Sequence, residues 1–183
     1  MNELLFNIAA INICTDSEGP GKRFAIWFQG CDIGCSGCCN PSFQTIEKKH
    51  IMTHTQLVSV ISKSIMENGI EGVTYLGGEP TLQKNLSFLS EAIQNLGLGV
   101  IMFTGKKISD ISPEFLKGID MVIDGKFDLS LPDERNLIGS SNQNLFLLTN
   151  RYRSDIEWFF EKRPKKVEVN VFDENVVFSG DVF

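Results

Sequence analysis

The chain has 183 residues, 42% of them apolar and 22% charged, which are ordinary values for a folded globular protein with room for one real core. Its formal net charge of −6, without a long Lys/Arg block, argues against a nucleic-acid footprint. No stretch approaches the roughly 18 apolar residues of a membrane span, and the acidic N-terminus MNELLFNIAAINIC lacks the apolar region of a signal peptide.

One domain over residues 1–183, in the cytoplasm, is the expectation. In that compartment clustered cysteines point to metal or redox chemistry rather than a disulfide framework. Along the chain, residues 4–13 and 23–29 are apolar with β-branched and aromatic members and read as strands, separated by the loop TDSEGPGK. From Thr53 the period turns helical, with Leu57, Ile61 and Ile65 on one face, Gln56 placed for a capping box and Gly69 as the stop.

Residues 72–76 form a short strand, and Pro80 then opens a helix whose face is Leu82, Leu86, Leu89, Ile93 and Leu96. Strands are expected at 98–103, 121–124 and 145–149, with a short helix from Ser112-Pro113-Glu114 and an amphipathic one over 153–162. Residues 166–172 alternate as a last long strand. Strands and helices in this order predict an α/β fold, a partial, open β/α barrel, with its ligands at the C-terminal ends of the strands.

Cys31, Cys35 and Cys38 form C-x3-C-x2-C directly after the second strand, and Cys39 follows at once. Three thiolates on so short a loop can hold three irons of a cubane and leave the fourth open. Gly34 and Gly37 give the loop its left-handed dihedrals. The rival is a structural zinc site using all four thiols, although zinc ligands more often come as two separated pairs.

The cysteine motif and its flanks, GPGKRFAIWFQGCDIGCSGCCNPSF, resemble the radical S-adenosylmethionine enzymes, and more narrowly the activators of glycyl radical enzymes such as anaerobic ribonucleotide reductase. Gly77-Gly78-Glu79-Pro80 after a strand resembles that family's cofactor-binding GGEP. Thr104-Gly105, Asp124-Gly125-Lys126-Phe127 and Gly139-Ser140-Ser141-Asn142-Gln143 extend the likeness over most of residues 13–150. The resemblance implies one 4Fe–4S cluster on Cys31, Cys35 and Cys38. Its open iron would chelate the methionyl amine and carboxylate of S-adenosylmethionine. Reductive cleavage would then give a deoxyadenosyl radical that abstracts hydrogen from a glycine of the partner enzyme. It also implies an electron donor such as flavodoxin or ferredoxin, and no nucleic-acid or membrane partner.

On the same grounds Gly77, Gly78, Glu79, Pro80, Thr104, Asp124 and Lys126 are candidates for holding S-adenosylmethionine. Gly77 and Gly78 would let backbone carbonyls approach its ammonium, with Glu79 as an anionic acceptor. Asp124 and Lys126 share a strand face, as cofactor ligands or as a solvated ion pair.

Arg23 either lines the cluster mouth or, as an arginine more often does, caps a loop with a carboxylate. Asn142 and Gln143 either bind substrate or tie their loop to its own backbone. His50 and His54 read as surface residues, and Cys14 as a buried thiol. Cys39 stands where the relatives carry an aromatic residue or histidine and would block the open iron if it were a ligand, so it is expected not to bind. Gly105-Lys106-Lys107 replaces the family's Gly-aromatic, and no further cysteine group follows for a second cluster.

Two other functions fit the same motifs less fully. One is a radical enzyme acting on a small molecule, like a 7-carboxy-7-deazaguanine synthase, against which the Asn-Pro after the cysteines and the Gly-Ser-Ser-Asn-Gln segment speak. The other is a zinc-stapled binding module.

Overall fold

In chain order the elements are β1 (Leu5–Thr15), β2 (Arg23–Phe28), β3 (His50–Thr53), α1 (His54–Asn68), β4 (Gly72–Gly77), α2 (Leu86–Asn95) and β5 (Gly99–Thr104). They are followed by α3 (Pro113–Leu116), β6 (Met121–Asp124), β7 (Asn144–Leu147), α4 (Ile156–Phe160), β8 (Val167–Phe172) and β9 (Asn175–Gly180). The computed structural model describes residues 3–162, 167–172 and 175–180. No helix among them is long and apolar enough to cross a membrane.

Seven strands make one open sheet in the order β3-β1-β2-β4-β5-β6-β7. Its centre, β2-β4-β5-β6, is parallel, so these four strands all end on one rim. Both faces of the central strands are covered, as parallel strands require. On one face Phe24, Ile26, Phe28, Val73, Tyr75, Val100 and Met102 pack on Leu57 and Ile61 of α1 and Leu86, Leu89 and Ile93 of α2. On the other, Ile101, Met121 and Ile123 lie under Leu137, Ile138, Tyr152 and Phe159. This alternation of outward and inward residues along each strand is the period-2 rule at work.

α1 starts and stops where the sequence indicates. The Thr53 hydroxyl accepts from the Gln56 N–H, the Gln56 side chain returns the bond to the Thr53 N–H, and Gly69 closes the helix at φ 65°.

The α/β open-barrel class is as expected, but several elements differ. The helix read from Pro80 is a single 3-10 turn, Pro80–Leu82, and α2 begins only at Leu86. Gln83 is extended there because its side-chain oxygen accepts the N–H of Asn7 on β1. α4 spans only Ile156–Phe160 instead of 153–162. The short strand β3, unpredicted, pairs with β1, and β1 and β7 run antiparallel to their neighbours rather than extending the parallel sheet. The last strand joins β9 in a separate antiparallel hairpin. The connection over residues 16–22 is too short for a crossover between parallel strands, so β1 and β2 pair antiparallel.

Thr53→Ala removes the cap of α1 and is expected to lower unfolding stability by about 1 kcal/mol, read as an earlier urea midpoint at unchanged slope.

Candidate active site

Every parallel strand delivers one predicted motif to the same rim: Gly30-Cys31 after β2, Gly77-Gly78 at the end of β4, Thr104-Gly105 after β5 and Asp124-Gly125 after β6. The cysteine loop is closed at its base by two backbone bonds, Gly30 N–H to the Phe43 carbonyl (2.8 Å) and Cys31 N–H to the Gln44 carbonyl (2.9 Å). Within it Gly34 and Gly37 both adopt left-handed dihedrals, φ 61° and 74°, which a side chain would strain.

The thiols are free, with Cys31, Cys35 and Cys38 half-buried and Cys39 exposed. Backbone N–H groups already point at sulfur: Ile33 N donates to Cys31 Sγ and Asn40 N to Cys38 Sγ, each at 3.4 Å. The Cys39 thiol donates to Cys38 as well. That bond, with the Gln44 side chain and the Asn40 N–H, draws the Cys38 thiol down, to about 5, against the cost of burial. The same contact pushes Cys39 up. Cys35 is raised, chiefly by burial, with the Phe127 N–H bonded to it and the other two thiols and Lys126 close enough to be felt.

The glycines of GGEP have a steric reason. A Cβ on Gly77 would strike the Phe28 backbone, and one on Gly78 would collide with the Gly30 carbonyl. The turn is bonded to that same segment, Gly78 N–H to the Phe28 carbonyl and Glu79 N–H to the Gly30 carbonyl, each 2.8 Å. Glu79 is wholly buried. Its carboxylate accepts from Thr81 N–H (3.0 Å) and Oγ1 (2.7 Å), from Thr104 Oγ1 (2.9 Å) and from Gly105 N–H (3.0 Å). The acceptor assigned to a ligand ammonium is thus already engaged by the protein. Its position ties the end of β4 to the end of β5.

Asp124 is also buried, but its cation is Lys107, at 3.5 Å. It accepts further from Ile108 N–H (2.8 Å) and Asn144 Nδ2 (3.2 Å). Lys126, the expected companion, is exposed and stands near Cys35 instead. Lys107 escapes a search for adjacent charges because it comes from the loop after β5, the preceding strand, and its signal is only its place just beyond Thr104. Asn142 and Gln143 tie the loop: their side chains donate to the carbonyls of Lys126 (2.8 Å) and Gly125 (3.0 Å), and the Gln143 oxygen accepts from Gly139 and Ser140.

Some candidates lie elsewhere. Arg23 opens β2 and therefore sits at the end opposite the cysteines, wholly buried. Its guanidinium donates to Thr74 Oγ1 (3.0 Å), Tyr152 OH (2.5 Å) and the Val73 carbonyl (2.6 Å), so its partners are a phenol, a hydroxyl and a carbonyl, not a capped carboxylate. Burial lowers its pKa, and Tyr152 partly restores it. Neither the mouth nor the loop-cap reading of Arg23 holds. His50 is exposed, His54 is half-exposed against the Phe88 carbonyl, and Cys14 is half-buried at the edge of the core rather than inside it.

Among the described residues no three His, Cys, Asp or Glu groups converge on a point that one metal ion would occupy. Three thiolates that each hold a different iron do not need to converge. Two buried amide oxygens on or next to this rim, Gln29 Oε1 and Asn142 Oδ1, lack a partner among the described residues. They are acceptors suited to a ligand rich in N–H and O–H donors, as S-adenosylmethionine is. The rim therefore fits both groups.

The comparisons agree. The family model described as "4Fe-4S single cluster domain" matches residues 17–146. An anaerobic ribonucleoside-triphosphate reductase-activating protein of Enterobacteria phage T4 is 32% identical, over 76% of this chain and 93% of its own. One from Escherichia coli K12 is 27% identical over 69% and 88%. Among solved structures, QueE from Escherichia coli superposes with a TM-score of 0.50 over 69% of this chain and 63% of that one; at 18% identity this is a likeness of fold alone. The chain belongs to the radical S-adenosylmethionine activases, the family of the anaerobic ribonucleoside-triphosphate reductase-activating proteins. It is an enzyme whose cofactors are a 4Fe–4S cluster and S-adenosylmethionine.

Glu79→Ala would strand four donors, three of them buried, and is expected to cost about 3 kcal/mol of stability, whereas exposed Lys126→Ala should stay within about 0.5 kcal/mol. Thermal unfolding of both variants side by side makes the comparison.

Proposed function

We propose that Cys31, Cys35 and Cys38 hold the cluster by three irons, and that S-adenosylmethionine occupies the rim formed by Gly77, Gly78, Glu79, Pro80, Thr104, Asp124 and Lys126. The enzyme abstracts a hydrogen atom from a glycine Cα of a partner glycyl radical enzyme, an anaerobic ribonucleotide reductase. The observation that carries this is the convergence of four strand ends on the pinned cysteine loop. When bound, the reduced cluster supplies the electron that breaks a C–S bond of S-adenosylmethionine.

The chain's own part is placement. Gly77 and Gly78 let the β4 turn lie against the entry to the cysteine loop. Glu79 fixes that turn to Thr104 and Gly105. The Lys107–Asp124 pair, with Asn142 and Gln143, holds the far side of the mouth. Lys126, exposed beside Cys35, is free to meet the methionyl carboxylate. Cys39 serves as a donor to Cys38 and not as a fourth ligand.

Anaerobic reconstitution with iron and sulfide, then dithionite and S-adenosylmethionine, is expected to yield 5′-deoxyadenosine. With the partner reductase added, a glycyl radical signal should appear in electron paramagnetic resonance. A colourless protein with stoichiometric zinc, or a loaded protein that forms no 5′-deoxyadenosine, contradicts the reading. Replacing Cys31, Cys35 or Cys38 by Ser should abolish the loaded cluster. Cys39→Ser should retain it by iron and sulfide analysis, and loss of the cluster there would refute the three-ligand assignment.

A further inference from the structure

On the outer side of the cysteine loop, three lysines are gathered by one asparagine. Asn7 on β1 donates its side-chain N–H to the Glu47 carbonyl (2.6 Å), accepts the Lys49 N–H (2.9 Å), and gives its own backbone N–H to Gln83 (2.9 Å). The chain around Lys48 and Lys49 is thereby brought beside Lys84. All three lysines are exposed, as is the neighbouring His50. None forms an ion pair among the described residues, whereas Lys106 and Lys107 at the mouth are paired with Asp32 and Asp124. The one carboxylate within the 45–50 segment is Glu47. Exposed apolar residues lie among these cations: Ile46, 74% accessible, and Leu5 and Ile51.

This patch is joined to the cysteine loop by short steps. Lys49 Nζ lies 5.2 Å from the centre of the Phe43 ring. The Phe43 carbonyl accepts from Gly30 and the Gln44 carbonyl from Cys31. A Cβ on Gly30 would stand 3.8 Å from both Ile46 and Leu82, each two residues before a lysine of the patch. A positive, partly apolar surface on a chain of net charge −6 is thus built against the backbone that carries the first cysteine.

We infer that Lys48, Lys49 and Lys84 form the docking surface for a small acidic one-electron carrier protein that reduces the cluster. The inference rests on the cluster reading above. One electron passes from the reduced carrier to the cluster, the carrier is oxidised by one electron, and no bond or proton moves. Two constraints favour this occupant over the glycyl radical enzyme. Hydrogen abstraction needs the glycine in contact with the reacting group at the mouth, while electron transfer needs only approach to the loop from any side. Electron-transfer encounters are also small and transient, and they depend on complementary charge for their rate.

The test uses the full-length, cluster-loaded protein and a flavodoxin as the acidic carrier. Flavodoxin binding, followed by titration at several salt concentrations, is compared for the wild type, Lys48→Glu/Lys49→Glu/Lys84→Glu and a control of equal charge change, Lys22→Glu/Lys117→Glu/Arg153→Glu. The patch variant is expected to bind about tenfold or more weakly with a flattened salt dependence. Reduced flavodoxin should likewise reduce its cluster more slowly, while dithionite reduces it as fast as in the wild type. The Gln versions of the three lysines, which avoid new like charges, should give an intermediate loss. A patch variant that binds and is reduced like the wild type overturns the inference, as does an equal loss in the control or a loss confined to binding of the partner reductase. A wild-type protein that loads no cluster at all would instead remove the function reading on which the inference stands.

Discussion

The close contact between the Gly77-Gly78 turn and the backbone of Phe28–Gly30 is the constraint on which the rest of the site depends. Neither glycine can carry a Cβ there, and two backbone bonds lock the turn against the stretch that launches the cysteine loop. Glu79 extends that lock sideways. As a buried carboxylate it is tolerated because four donors surround it, and those donors come from its own turn and from the end of β5. The cysteine loop, the GGEP turn and the Thr104-Gly105 end are therefore one rigid unit instead of three neighbouring loops.

A second unit faces the first across the mouth. Asp124 receives Lys107, Ile108 and Asn144, and Asn142 and Gln143 wrap the turn that follows. Phe127 follows that turn, and its backbone N–H is near enough to Cys35 to lower the thiol's pKa against burial. Hydrogen bonds to thiolate sulfur help to set the potential of an iron–sulfur cluster. In the reading proposed above, the N–H groups of Ile33 and Asn40 on Cys31 and Cys38 are placed to tune the cluster.

The cysteine spacing, the glycines and the strand–helix order were legible in the sequence because each is a local pattern with a strong physical cause. The α1 cap is the clearest case: Thr53, Gln56 and Gly69 act within one helix, and the structure has them as read. What escaped was set by partners distant in sequence. Gln83 breaks the helix expected from Pro80 because Asn7 needs an acceptor. Arg23 was placed at the mouth or in a loop cap, yet it lies at the far end with Tyr152, 129 residues away. Asp124 was matched with Lys126 two residues on, but its cation is Lys107 from the preceding loop. Glu79 was read as an anionic acceptor for the ligand, and its bonds to Thr104 and Gly105 are ones that no spacing rule reveals.

The central claim is that three protein thiolates leave one iron open to S-adenosylmethionine. Electron–nuclear double resonance on the reduced, loaded protein with S-adenosylmethionine carrying nitrogen-15 in its methionyl amine addresses it directly. The account predicts a nitrogen-15 coupling to the cluster spin that is absent without the labelled compound. A cluster spectrum unchanged by saturating S-adenosylmethionine, with no coupling to the label, would contradict it.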